Sequence, residues 1–265
     1  MPDWTPDYLS AGTLTAWYKA DSLSLNDGDG VGSWTDSSGN GHTVAQSVGS
    51  RQPTFETNEL NSKPVIRYDG SNDILSDGDI ADLDVGTGDI WMASVFKSTD
   101  DGGAQFFFEK NATQFGLVTI KSGILQARLG GTTNIPEQSA GNWSRTEFVI
   151  VTASRVSSSC NGFVNGSDMT TTGTTNSGSI SNSNVLDIGA SAVGGQTMTG
   201  DIAEILVGGA TLDTNERQKI EGYLAHKYGL EGNLPSDHPY KSAAPGYRVQ
   251  YGISSGLIDG GLIQA

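Results

Sequence analysis

One stretch of this chain carries sustained helical spacing, Thr214 to Tyr228, and it comes late. Upstream of it the apolar residues fall into short runs, at about residues 14–20, 31–35, 63–69, 89–97, 105–109, 115–120, 124–129, 145–153, 160–166, 185–189 and 202–207. Gly, Asn, Asp and Ser separate them, and runs of that length bounded by turn formers read as strands. A series of short strands without helices between them argues against βαβ units. It predicts an all-β chain, a two-sheet antiparallel jelly-roll sandwich with one short helix near the C-terminus.

The helix has its own signals. Asp213 stands where an N-cap carboxylate accepts an amide, with Glu216 three residues on, and Gly229 follows as a stop. Ile220, Tyr223, Leu224 and Tyr228 share one face at helical spacing. His226, near the end of that helix, is favoured there by the helix dipole and requires no chemistry.

With 265 residues the chain is long enough for a full core without staples. We read residues 1–240 as one sandwich and 241–265 as a tail of Pro, Gly and isolated apolar residues that cannot build a core of its own. The formal charge of −15 disfavours nucleic acid as a partner. Cys160 is the single cysteine, so no internal disulfide forms. No run reaches the roughly 20 apolar residues of a membrane span, and the first residues show no signal-peptide pattern.

Six blocks stand out: WYKAD at 17–21, W-x-D-x-SGNG at 34–41, YDGSND at 68–73, GDIAEILV at 200–207, ERQKIEGYLAHKYGL at 216–230 and LPSDHPY at 234–240. Together they resemble one subgroup of the laminin-G-like, concanavalin A-like jelly rolls, over roughly residues 9–240. The resemblance implies a sandwich in which first and last strands meet. It also implies a setting in phage virion proteins or bacterial surface proteins. The expectation is a non-catalytic structural or adhesive module of a virion, docked on capsid or tail proteins, self-associating, and contacting surface glycans. A lectin-type carbohydrate-binding module and a polysaccharide-degrading enzyme are the alternatives, because one sandwich serves many functions.

The chemistry-bearing residues are few. Loop oxygens at Asp36, Asn40 and Asp201 are the calcium candidates, since calcium takes six to eight oxygens in flexible geometry. The simpler reading is that such residues bond their own turns. No cofactor is required otherwise, and the dispersed His42, His226, His238 and Cys160 lack zinc spacing. The clustered E-x-D-x-x-E of jelly-roll glucanases is absent, and Asp201 and Glu204 would point to opposite faces of a regular strand. Among the tryptophans, Trp143, in a polar Ala-Gly-Asn-Trp-Ser setting, is the candidate sugar-stacking residue. In the tail, Tyr247, Tyr251, Leu257, Ile258, Leu262 and Ile263 are the candidate partner contacts.

Overall fold

The computed structural model describes residues 4–10, 13–99, 103–110, 115–120, 123–130, 136–138, 142–171, 178–191 and 196–246. Among these, two antiparallel sheets pack face to face. The first contains β1 (Ala16–Lys19), β4 (Thr54–Leu60), β5 (Lys63–Asp69), β7 (Ile90–Ser98), β12 (Val149–Val156), β13 (Ser159–Val164), β14 (Ser167–Asp168) and β17 (Thr199–Gly208). The second contains β2 (Ser33–Trp34), β3 (Val44–Ala45), β6 (Leu75–Asp77), β8 (Gln105–Glu109), β9 (Phe115–Ile120), β10 (Ile124–Leu129), β11 (Pro136–Gln138), β15 (Thr170–Thr171) and β16 (Leu186–Ile188). The first sheet runs β14-β13-β12-β7-β17-β5-β4, with β1 also on β17, and the second β15-β11-β10-β9-β8-β16-β6-β3-β2.

Strand alternation explains the layers. On β7, Ile90, Met92 and Phe96 face the second sheet, while Trp91, Ala93 and Val95 face outward beneath the helix α1 (Thr214–Tyr228). A strand buried on both faces reads as a continuous apolar run, as residues 89–97 do. The first and last strands do meet: Trp17 lies opposite Leu206.

Helix α1 starts where its cap predicts. The Asp213 carboxylate accepts from the Glu216 amide at 2.8 Å, and the helix ends at Gly229. Ile220, Leu224 and Tyr228 are buried, and Tyr223 packs edge-on against Trp4 and Trp17. His226 does more than sit near a dipole: its Nε2 lies 2.8 Å from the Tyr240 carbonyl. The strand expected over 145–153 begins later, at Val149. Ordered contacts continue past residue 240, since the Trp4 amide donates to the Pro245 carbonyl at 3.0 Å. Among the described residues, no helix is long and apolar enough to cross a membrane.

Candidate functional site

Two polar networks tie the helix to the first sheet, and they account for most of the sequence blocks. Glu204 is fully buried. It accepts from the Trp17 indole at 2.6 Å, the Lys227 ammonium at 2.7 Å and the Tyr228 hydroxyl at 2.8 Å. Glu204 and these partners together join three separate blocks, 17–21, 200–207 and 216–230. Burial, reinforced by Glu204, holds the Tyr228 and Tyr223 hydroxyls well above the usual tyrosine range. The second network centres on Glu221, also fully buried. It accepts from Thr152 at 2.6 Å and from Arg217 at 2.7 Å, with His238 Nε2 at 3.1 Å. The Tyr240 amide donates to His238 Nδ1, so Nε2 carries the proton and donates to Glu221.

Several candidate residues prove to be architecture. The Asp36 carboxylate accepts from the amides of Trp17, Ser38, Gly41 and His42 and from the Ser38 hydroxyl, at 2.7–3.1 Å. Asn40 uses its amide on the carbonyls of Leu14 and Thr15. These two share one loop, which they close as side-chain turn formers do. Asp201 lies in β17, bound to Arg67 and Lys97. Asp36, Asn40 and Asp201 therefore do not converge on one site, and no cluster of three or more metal-ligating His, Cys, Asp or Glu occurs among the described residues. Trp143 is 8% exposed, its indole donates to the Gly123 carbonyl at 2.9 Å, and its ring meets Phe96 edge-on. Buried in this way, it offers no stacking face. The tail candidates, Tyr247 to Ile263, lie outside the described residues.

One expectation about faces is overturned. A bulge between Ile202 and Glu204 shifts the β17 register. Asp201 and Glu204 consequently both project from the outer face of the first sheet, each within its own set of cations.

Around Asp201 that outer face opens into a cleft of about 550 Å³. Its floor is Asp201, 1% exposed, held by Arg67 at 2.7 and 3.0 Å and by Lys97 at 2.9 Å. Arg67 also reaches Glu59 at 3.1 Å, and Lys97 lies over the Phe148 ring. Gly200 permits this floor: a Cβ there would lie 2.1 Å from the Lys97 carbonyl oxygen. Ser50, Gln52, Thr54, Asp69, Thr99 and Thr199 form the polar rim. Asp73, at the inner end, is raised to about 6 by burial and by neighbouring Asp69, against the opposing Asp69 amide. The sequence reading placed Asp201 among loop oxygens and missed Arg67 and Lys97. For Lys97 the signal was a lone cation in an otherwise largely apolar strand.

The arrangement offers hydroxyls, carboxylates and a paired cation set to a small polar ligand, in the volume range of small-molecule sites. No protein-family model matches the sequence, and no curated protein matches it. Solved structures share the fold. The binding domain of Paraclostridial Mosquitocidal Protein 1 aligns with a TM-score of 0.59 at 13% identity, over 79% of this chain and 52% of that one. The W1252A mutant of HCR D/C VPI 5995 gives 0.55 at 10% identity, over 80% and 52%. Trypanosoma rangeli sialidase in complex with sialic acid gives 0.52 at 13% identity, over 82% and 33%. This chain spans about a third of the sialidase and about half of the other two, and the likeness is one of architecture.

Proposed function

We propose that this protein is a non-catalytic recognition module that binds saccharides in the cleft over Asp201. The carrying observation is the cleft itself: an open, polar concavity rimmed by Ser50, Gln52, Thr54, Asp69, Thr99 and Thr199 on a rigid sheet. Hydroxyl and carboxylate side chains of this kind exchange hydrogen bonds with sugar hydroxyls. The sialidase solved with sialic acid makes a sugar the natural ligand class to test on this fold. In this reading the buried Asp201 carboxylate, held between Arg67 and Lys97, fixes the floor of the cleft rather than serving as an acid or a base.

The test is retention on immobilised bacterial and algal polysaccharides, scored with release of new chain ends. The wild type is expected to be retained without cleavage. Ser50→Trp, which places an indole on an exposed rim position, is expected to weaken retention at least about tenfold, or about 1.4 kcal/mol. Cleavage of the chains, or retention unchanged by Ser50→Trp, would contradict this reading.

The setting implied by the sequence blocks, a virion surface, belongs to the same proposal. There residues 247–265 dock on capsid or tail proteins and the sandwich faces solvent. Deleting 247–265 is expected to abolish association with the particle and leave saccharide retention intact. Particle association that survives the deletion would end the anchoring role.

A further inference from the structure

The turn after β5 brings two acids to one end of the cleft. Gly70 takes a φ of +79°, and a Cβ there would fall 2.0 Å from the Thr199 hydroxyl oxygen, so glycine lets this turn close on β17. The Asp69 carboxylate accepts from the Ser71 amide at 2.7 Å, and the Asp73 carboxylate accepts from the Asp69 amide at 2.9 Å. Both residues line the cleft, and their carboxyl groups stand within hydrogen-bonding reach of each other.

Like charges so placed repel unless a cation joins them. Here the cations of the cleft are committed to other acids. Arg67 directs its guanidinium to Asp201, Glu59 and Glu56, and Lys97 its ammonium to Asp201. Arg51 meets this turn through its carbonyl, which accepts from the Ile74 amide at 3.1 Å. Among the described residues neither Asp69 nor Asp73 forms an ion pair. Asp73 is 6% exposed, and burial with neighbouring Asp69 raises its carboxyl to about 6, opposed by the Asp69 amide and by no cation. The Tyr68 hydroxyl, in the wall of the same cleft, is buried without a hydrogen-bond partner and so does not relieve Asp73 either.

The cleft thus holds two neutralised cations and two carboxylates that lack a counter-charge. A ligand carboxylate, as on a uronate, meets repulsion at this end. An ammonium meets attraction, and it needs only three acceptors, which Asp69, Asp73 and the Thr199 hydroxyl beside Gly70 can supply. A calcium ion, wanting six to eight oxygens, is not served by this set.

We propose that the cleft selects saccharides that carry a free amino group, with the ammonium against Asp69 and Asp73, and discriminates against acidic saccharides. The selection rests on the saccharide reading of the cleft and adds to it the charge of the ligand.

The full-length protein is titrated by calorimetry at neutral pH with a glucosamine tetramer, its fully N-acetylated counterpart and a galacturonate tetramer. The wild type is expected to bind the free-amine tetramer at least about tenfold more tightly than the acetylated one, and the galacturonate least. Asp73→Asn should remove most of that preference while leaving affinity for the acetylated tetramer unchanged. A chain of net charge −15 attracts any polyamine, so Asp168→Asn serves as the control. It removes the same charge from the exposed β14, at the opposite edge of the first sheet, and should keep the preference. Equal losses in Asp73→Asn and Asp168→Asn would reduce the effect to general attraction and overturn the proposal. Equal affinity for the amine and acetylated tetramers, or tighter binding of galacturonate, would overturn it and leave the saccharide reading standing. Binding of none of the three would also overturn it, and the saccharide reading itself would then be decided by retention on the polysaccharide panel. Asp73→Asn keeps an acceptor for the Asp69 amide and loses a like-charge contact, so its Tm should equal or exceed that of the wild type. If it fails to fold, Asp69→Asn, which keeps an acceptor for the Ser71 amide, carries the same test.

Discussion

Glu204→Ala is expected to destabilise the fold by about 3–5 kcal/mol, the cost of removing one partner from a buried ion pair. The carboxylate is fully buried and collects the Trp17 indole, the Lys227 ammonium and the Tyr228 hydroxyl. Alanine leaves the Trp17 N–H buried without its acceptor and the Tyr228 hydroxyl with the Ala203 carbonyl at 3.3 Å, while Lys227 keeps Asp21 at 2.9 Å and the Tyr223 hydroxyl at 3.3 Å. Urea denaturation at neutral pH reads the loss directly. Glu204→Gln retains an acceptor and should lose less, about 1–2 kcal/mol. A change under about 0.5 kcal/mol in Glu204→Ala would show that these blocks do not hold the helix to the sheet.

Glu221→Ala is expected to cost a similar 3–5 kcal/mol, by the same mechanism at a different place. Here the unsatisfied groups are Arg217, Thr152 and His238, and Arg217 already stacks on Phe163 at 3.6 Å. Because His238 belongs to the segment after the helix, this loss should also free residues 235–241 for proteolysis, which Glu204→Ala should not do. Limited proteolysis with mass analysis of the first cleavage separates the two. Identical first cleavage sites in both variants would contradict the assignment of two separate clasps.

The sandwich was legible in the chain because its causes are local. Strand alternation, turn residues and the Asp213 cap each act within a few residues. The role of the polar block residues was not legible, because their partners lie far away in sequence. Glu204 meets Trp17 across 187 positions, and Thr152 meets Glu221 across 69. Asp36 and Asp201 look alike in a sequence, yet one closes a loop with five hydrogen bonds and the other holds two cations on a sheet. The bulge in β17, which turns Asp201 and Glu204 to one face, has no sequence signal that strand periodicity detects. Trp143 misled for a related reason: its polar neighbours suggested exposure, while its ring reaches the core. The cleft assembles from residues near 50, 68, 98 and 200, which only the sheet register brings together.

The most direct test of the recognition account is amide chemical-shift mapping of the isotope-labelled protein with an oligosaccharide cut from a retained polysaccharide. The account predicts shifts clustered at Ser50, Thr54, Asp69, Thr99 and Thr199, with the helix and the second sheet unmoved. Shifts confined to the second sheet or to the helix, with the cleft silent, would contradict it.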